Sequence, residues 1–154
     1  MSKNSQVALR RTDSNDRDFQ YLTVLMDNDL RQRYGEVQTI YDGLNKLGEV
    51  DTVLIAYNDN APIGCGCFRK FSDNTIEVKR MFVEPAYRGQ GVATQILSGL
   101  ETWAKEKGFS RAILETGRKQ PEAIHLYERS GYAITINYGP YAGMENSVCM
   151  RKKL

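Results

Sequence analysis

The sequence predicts an α/β fold, in which helices flank a mixed, mostly antiparallel central sheet and the elements follow the order βααβββαβαββ. Three features predict it. Positions 52 to 83 hold three β-rich runs separated by turn residues, and positions 92 to 103 and 121 to 131 hold amphipathic helical patterns. Strand-like runs follow both helical patterns. With 154 residues and no linker, repeat or low-complexity tract, the chain is predicted to form a single domain over 1–154.

The N-terminal third is predicted to contain one strand and two helices. A short strand near Val7 to Arg11 precedes the stretch TDSN, whose side chains are good helix caps. The first helix is expected to end at about Leu30, and the second covers the apolar pattern from Val37 to Leu44 and ends at Gly48. The apolar residues that define the first helix are Phe19, Leu22, Leu25 and Met26.

The remaining chain alternates strands and helices. TVLIAY, IGCGCFRKF and TIEVKRMFV, joined by the turns NDNAP and SDN, predict an antiparallel meander. A helix then starts beside two glycines and ends near Gly108. RAILET predicts a strand, PEAIHLYERSG a helix that begins with proline and ends at glycine, and YAITINY and SVCMRK the last two strands.

Composition excludes several classes of function. The formal charge is +2, from 21 basic and 19 acidic residues without a long block of one sign, so we expect no nucleic-acid partner. The N-terminus lacks the apolar stretch of a signal peptide and no run is long enough to span a bilayer, so a cytoplasmic protein without membrane contact is expected. The three cysteines fit reduced thiols, because the chain shows no export signal and an odd count cannot pair fully within one molecule.

Residues 87 to 97, YRGQGVATQIL, place two glycines directly before a helix. Glycine lets the backbone approach a ligand closely, and the first turn of a helix offers unpaired N–H groups, so this turn is expected to bind an anion. The P-loop requires lysine after its second glycine, where this chain has Val92. The dinucleotide fingerprint requires a third glycine, where this chain has Thr94. Neither ATP nor NAD is therefore expected.

The pattern Arg-x-x-Gly-x-Ala, preceded by IEVKRMFV and followed by LETGRKQPEAIHLYERSGY, resembles the GNAT superfamily of N-acetyltransferases over roughly the last hundred residues. The resemblance implies a GNAT-like fold, acetyl-CoA as acyl donor, and no metal. It also implies that the strand RAILET splays from the preceding strand to admit the pantetheine arm, with Pro85 as the ladder breaker. The residues expected to bind the pantetheine are Met81, Phe82 and Val83, and those expected to bind the pyrophosphate are Arg88, Gly89, Gln90, Gly91, Val92 and Ala93.

The same resemblance supplies two candidates for proton transfer. Tyr127, in LYERSGY, is expected to contact the coenzyme and to act as the general acid for the departing thiolate; its alternative role is a core tyrosine on the helix face of Ala123. Glu77 lies four residues before Met81, so strand alternation predicts one shared face, and Glu77 is the candidate base. Its alternative role is an ion pair with Lys79. Further candidate bases are Glu36, Glu49 and Glu115.

Four other polar residues could have either a functional or a structural role. Gln120 stands where many relatives place an asparagine that contacts the pantetheine, and a helix N-cap is the alternative. His125 is predicted to be a solvated helix residue. Cys65 and Cys67 are predicted to be small strand residues rather than half of a metal site, since no second Cys/His cluster accompanies them.

The acceptor pocket is predicted to form between the early helices and the loop YGPYAGMEN. Arginines there favour a small amine that is acidic or zwitterionic, whereas a solvated helix face is the alternative. The predicted function is direct acetyl transfer from acetyl-CoA to the primary amine of a small molecule. The alternatives are a non-catalytic acyl-CoA binding or sensing module and a protein N-acetyltransferase, and exposed apolar residues of the early helices or last strand favour a homodimer. The named pocket residues are Arg31, Arg33, Tyr34, Gln38, Tyr138, Tyr141 and Asn146.

Overall fold

A computed structural model describes residues 7–35 and 47–154. The predicted second helix, Glu36 and Gln38 lie outside these residues. The strands are β1 (Val7–Thr12), β2 (Val53–Asn58), β3 (Ala61–Ser72), β4 (Thr75–Val83), β5 (Arg111–Gly117), β6 (Ala133–Thr135) and β7 (Ser147–Lys153). The α-helices are α1 (Arg17–Tyr34), α2 (Val92–Glu106) and α3 (Pro121–Arg129), and short 3₁₀ turns span Pro85–Tyr87 and Gly139–Tyr141.

The strands form one seven-stranded sheet in the order β1-β2-β3-β4-β5-β7-β6. Every pair is antiparallel except β4 with β5, which is parallel and is connected through α2. This is the predicted mixed, mostly antiparallel sheet with flanking helices, so the predicted fold class is confirmed. Within the described residues, no helix is long and apolar enough to cross a membrane.

Helix α1 differs from the prediction at both ends. Its N-cap lies one residue after the TDSN stretch, and its last residue is Tyr34, four residues beyond the predicted end at Leu30. The cap is Asp16, whose carboxylate accepts hydrogen bonds from the amides of Asp18 and Phe19. The helix continues to Tyr34 because this side chain is itself buried, and Gly35 ends it with a φ of 59°.

The two faces of the sheet are covered by different helices. Alternate residues of β4, such as Ile76 and Val78, pack with Ile96 and Leu100 of α2. On the other face Phe19 and Leu22 of α1 pack against a separate cluster of strand residues. That cluster contains Val53, Ile55, Cys65, Cys67 and Phe82. The polar side chains of β4 that lie on the α1 face, Glu77 and Lys79, line a cavity that is described below.

Strands β4 and β5 pair over only four residues each and then separate. The last paired residues are Val78 and Leu114, although β4 continues to Val83 and β5 to Gly117. The predicted splay is present, but Pro85 does not cause it, since the ladder ends well before that proline, which instead begins a 3₁₀ turn. The separation leaves a wedge between the two strands, and both cavities described below open from it.

Strand β4 also carries a bulge. Phe82 and Lys79 pair with Cys65 and Cys67 of β3, so β4 has one residue more than its partner between these pairs. Arg80 lies in this segment with a φ of 59°, which is uncommon for a residue other than glycine. Its guanidinium forms an ion pair of 2.5 Å with Asp27 of α1.

Candidate active site

The glycine-rich turn forms one end of a cavity of about 540 Å³. Gly89 and Gly91 have φ values of 75° and 82°, and a Cβ on either would project into open space. Gly91 is the N-cap of α2, and the first turn of α2 has no side-chain cap. Its amides therefore point, unblocked, to where a phosphate would bind.

The predicted coenzyme residues lie together along this cavity, with one exception. Gln90 does not line it, because its side-chain amide turns back and donates to the Ala86 carbonyl at 3.3 Å. The predicted residues that do line it are Met81, Phe82, Val83, Arg88, Gly89, Gly91, Val92, Ala93, Gln120 and Tyr127.

Arg88 is anchored to the protein on the side of its guanidinium that faces β4. Its Nε donates to the Val83 carbonyl at 2.8 Å, and its terminal nitrogen lies 3.6 Å from the Asp29 carboxylate. The guanidinium also stacks 5.6 Å from the ring centroid of Phe82. These contacts fix the guanidinium in the wall of the cavity, which the first turn of α2 also lines.

The bulge in β4 corrects one prediction from strand alternation. Glu77 and Met81 were predicted to share a face, but the extra residue turns Met81 to the opposite face, where it packs with Val78 and Val83. A Cβ on Gly66 would lie 2.5 Å from the Met81 sulfur, so glycine is needed there for the close packing. Met81 and Val83 do share a face, as predicted.

A smaller cavity of about 90 Å³ adjoins the first one inside the wedge. Three of the predicted coenzyme residues, Met81, Gln120 and Tyr127, line both cavities. The Gln120 side-chain oxygen accepts from the Gly117 amide at 3.3 Å, so its side chain does not cap α3. The smaller cavity also contains the charged side chains Glu77, Lys79, Arg80 and Glu115.

Tyr127 is 6% exposed and lies where the two cavities meet. Its ring packs edge to face against Tyr132, with the centroids 5.8 Å apart. Burial raises the pKa of its phenol well above the ordinary value, and the nearby Glu115 carboxylate raises it further. The phenol therefore keeps its proton at physiological pH.

Glu77 is 3% exposed and makes two hydrogen bonds. Arg69, directly across the β3–β4 ladder, donates to Oε1 at 2.8 Å, and the Tyr138 hydroxyl donates to Oε2 at 2.7 Å. The ion pair with Lys79, which was the alternative role of Glu77, is not formed among the described residues, and Glu77 pairs with Arg69 instead. The sequence did not predict this ion pair, because the register of β3 with β4 places Arg69 opposite Glu77, and the register cannot be read from the spacing of the two residues along the chain.

Glu115, on β5, is the second carboxylate of the smaller cavity. The Ser147 hydroxyl donates to its Oε2 at 2.8 Å. Burial raises the pKa of Glu115 to about 6, against the opposing effects of Ser147 and of the Lys79 charge. A carboxyl with this pKa titrates close to physiological pH, which suits proton exchange.

Some of the residues predicted to form the acceptor pocket, in α1 and the late loop, line the smaller cavity and others do not. Tyr34, Tyr141 and Asn146 line the smaller cavity, while Tyr138 reaches it through Glu77. Arg33 lines the larger cavity instead, where it pairs with Glu122 at 2.5 Å. The predicted arginines therefore do not supply the cation of the smaller cavity.

The remaining candidates have the structural roles expected of them. His125 is exposed at the rim of the larger cavity. Cys65 and Cys67 are fully buried, and their thiols donate to the carbonyls of Arg80 and Lys79. Burial raises the pKa of both thiols, that of Cys67 to about 12, so neither forms a reactive thiolate.

Comparison with known proteins assigns this architecture to a family. The profile of the Acetyltransferase (GNAT) family matches residues 15–132. The IAA acetyltransferase of Azospirillum brasilense is 36% identical over 102 residues, which are 66% of this chain and 67% of that protein.

Solved structures share the fold over almost the whole chain. A candidate acyl-CoA N-acyltransferase from Klebsiella pneumoniae superposes with a TM-score of 0.81 at 26% identity, covering 98% of this chain and 99% of that one. A GNAT family acetyltransferase from Elizabethkingia anophelis, solved with acetyl-CoA bound, superposes with a TM-score of 0.70 at 19% identity, covering 97% and 99%. The second likeness is one of fold alone.

Proposed function

The chain belongs to the GNAT family of acetyltransferases, and we propose that it transfers the acetyl group of acetyl-CoA to the primary amine of a small molecule by direct attack in a ternary complex. The observation that carries this proposal is the position of Tyr127 at the junction of two cavities that differ in size. The larger cavity fits a nucleotide-bearing donor, and the smaller one, which contains Glu77, Lys79 and Glu115, fits an acceptor.

The larger cavity fits the donor for three physical reasons. The positive φ and open space at Gly89 and Gly91 let the backbone approach a pyrophosphate. Arg88 adds a fixed positive charge. The stretch of β4 from Met81 to Val83 pairs with β3 but has no partner strand on the β5 side, so an extended pantetheine arm could bind there as an added strand would.

Acetyl-CoA, when bound, supplies an acetyl group on a thioester and a thiolate leaving group. Tyr127 holds its phenolic proton at the junction of the cavities and is the proposed general acid for that thiolate. Burial in a site that excludes water keeps this proton available to the leaving group rather than to solvent.

Glu77 and Glu115 are the two proposed bases. Glu77 keeps the role predicted for it, but its two oxygens already accept from Arg69 and Tyr138. Glu115 has one such partner and a pKa of about 6. A carboxylate with this pKa removes a proton from an ammonium more effectively than an ordinary one, so these contacts favour Glu115.

The first experiment measures release of coenzyme A thiol from acetyl-CoA across amino acids, polyamines, aminosugars and peptides. Tyr127→Phe is expected to lower kcat by about 100-fold or more while changing the KM for acetyl-CoA by less than about threefold, because only the proton donor is removed. Tyr132→Phe, a neighbouring buried tyrosine whose hydroxyl donates to Glu101, is the matched control.

The alternatives give different results in the same experiment. An acyl-CoA sensor binds acetyl-CoA in calorimetry but releases no thiol with any acceptor. A protein acetyltransferase releases thiol only with peptides or proteins, and mass spectrometry identifies the modified amine. Equal kcat in Tyr127→Phe and wild type would remove Tyr127 from the mechanism.

A cytoplasmic location and a homodimer are also part of the proposal. Ile134 and Ile136, which are 64% and 88% exposed, lie in and beside the edge strand β6, and Val24 of α1 is 58% exposed. Apolar residues on an edge strand favour pairing with another chain. Sedimentation equilibrium of wild type and Ile136→Lys tests this, with a shift from dimer to monomer as the expected result.

A further inference from the structure

Lys79 is a buried cation that the proposed acetyl transfer does not use. Its side chain, on β4, is 8% exposed and lines the smaller cavity. Within residues 7–35 and 47–154, its one hydrogen-bond partner is the Tyr141 hydroxyl, 3.2 Å from Nζ. An ammonium has three donors, and a buried charge without a counter-ion is costly. The remaining N–H groups therefore lack a partner at a place where a ligand could supply one.

The carboxylates around Lys79 are engaged elsewhere. Glu77 accepts from Arg69 and Tyr138, and Glu115 accepts from Ser147. In the described part of the chain, neither carboxylate forms an ion pair with Nζ within 4.0 Å, although both act on Lys79 through space. Burial outweighs these charges and lowers the pKa of Lys79. A bound anion would reverse that effect.

Four charged side chains line the smaller cavity of about 90 Å³, and two of them are paired, Arg80 with Asp27 and Glu77 with Arg69. The other two, Lys79 and Glu115, form no ion pair within the described residues and keep hydrogen-bonding capacity for a ligand. Two opposite charges in so small a space are complementary to a zwitterion with its two charges a few bonds apart. An amine next to Glu115 and Tyr127 would place a carboxylate on the same molecule within reach of Lys79.

We infer that Lys79 binds the carboxylate of the acceptor and that the acceptor is a free amino acid. This inference rests on the proposed acetyl transfer and adds the substrate class and a specificity-determining residue to it. The reaction leaves that carboxylate unchanged. The N–C bond to the acetyl group forms and the C–S bond breaks, the amine gives a proton to the base, and the departing thiolate takes a proton from Tyr127 and leaves as coenzyme A thiol. Lys79 orients the acceptor and takes no part in proton transfer.

The test uses matched pairs of acceptors, each proteinogenic amino acid with its carboxamide, which keeps the amine and removes the negative charge. For the best amino acid, the wild-type kcat/KM is expected to exceed that of the amide by roughly 10- to 100-fold, the value of a charged hydrogen bond. Lys79→Met should abolish this preference by raising the KM for the amino acid about 10-fold or more relative to the KM for the amide, because only the amino acid loses a charged partner. Any effect of the lost charge on Glu115 is common to both acceptors and cancels in the ratio of their kcat/KM values.

Lys70→Met is the control, since this lysine of β3 has a side chain that is 63% exposed and pairs with Asp73. It should retain the wild-type preference. A merely structural role of Lys79 would lower the rates with both acceptors in proportion, which would overturn the inference. If Lys79→Met does not fold, Lys79→Gln, which can still bond to Tyr141, gives the same comparison.

Failure of this inference differs from failure of the proposed function. Wild type that acetylates amides or other amines as well as amino acids remains an acetyltransferase, but Lys79 is then not a carboxylate site. Wild type that releases no thiol with any amine overturns both the inference and the proposed function.

Discussion

At the residue scale, Glu77 accepts hydrogen bonds from Arg69 and Tyr138, whereas Glu115 accepts one from Ser147. The two carboxylates line the same cavity, yet they have different partners. Arg69 forms an ion pair with Glu77 at 2.8 Å, whereas burial raises the pKa of Glu115 to about 6. The same residue type is therefore suited to two roles, an anchor and a base.

The pH dependence of the reaction separates the two. If Glu115 is the base, kcat in wild type rises as pH increases through about 6, because the carboxyl must lose its proton to accept another. Glu115→Gln is expected to remove this rise and to lower kcat by about 100-fold. Glu77→Gln should keep the rise. A rise that vanishes in Glu77→Gln and persists in Glu115→Gln would assign the base to Glu77.

Stability gives an independent measure of Glu115. Its folded-state pKa is raised from 4.5 to about 6, so its protonated form favours folding below pH 4.5 and this contribution is lost as pH rises through about 6. Glu115→Gln avoids the cost of ionisation and should be more stable than wild type by up to about 2 kcal/mol above pH 7, with little difference at pH 4. Urea titrations at the two pH values measure this; equal differences at both would contradict it.

At the scale of elements, the bulge in β4 decides what each side of the wedge presents. Arg80 holds a left-handed conformation, and its ion pair with Asp27 links the bulge to α1. Because of the bulge, Met81 packs with Val78 and Val83 on the face covered by α2, whereas Glu77 stays on the face covered by α1.

Asp27→Asn removes the charge from this link without changing its shape. The bulge should loosen, so we expect a loss of about 1 kcal/mol in unfolding free energy and a several-fold rise in the KM for acetyl-CoA, with kcat at saturation less affected. Asp73→Asn, in the exposed β3–β4 turn, is the matched control. An unchanged KM in Asp27→Asn would show that the bulge does not depend on this ion pair.

The end of β5 leaves no room for a side chain at Gly117. A Cβ there would lie 1.6 Å from the Tyr34 hydroxyl oxygen, which accepts from the Lys119 amide. Gly117→Ala should therefore displace Tyr34, lower stability by about 1–3 kcal/mol and raise the KM for acetyl-CoA. Adding Tyr34→Ala should restore part of the lost stability, as chemical denaturation would measure. Additive losses in the double variant would argue against this contact.

At the scale of the whole molecule, the sheet runs through the described chain and both cavities lie where its two parallel strands separate. Helices α1 and α3 face each other across this wedge, since Met26 and Leu30 line both cavities together with Tyr127. A ligand in the wedge would thus contact both α1 and α3 and stabilise their packing.

Thermal unfolding tests this arrangement and the predicted single domain. One cooperative transition is expected, and coenzyme A at about 100 times its Kd should stabilise the fold by about 2.7 kcal/mol, or raise Tm by roughly 5–11 °C. Gly117→Ala should show a smaller shift at the same concentration. Two transitions of which only one responds to coenzyme A would contradict a single domain.

The sequence alone determined the order of the described elements, the glycine turn that begins α2, and the resemblance to the family. These features depend on local patterns: apolar periodicity, the glycines needed at positive φ, and the spacing from Arg88 to Ala93. The place of Tyr127 on α3 was also predictable, because this helix follows directly on a recognisable strand and turn. Tertiary packing was not needed for any of them.

Only the tertiary structure decided how the charges of the smaller cavity pair. Arg69 meets Glu77 through the register of β3 with β4, and Tyr138 reaches the same carboxylate from a distant loop, which leaves Lys79 facing the cavity. Alternation along a strand also fails at a bulge, as Met81 demonstrates. The physical reason is that ion pairing and side-chain direction depend on distances across strands, whereas a sequence pattern records only distances along the chain.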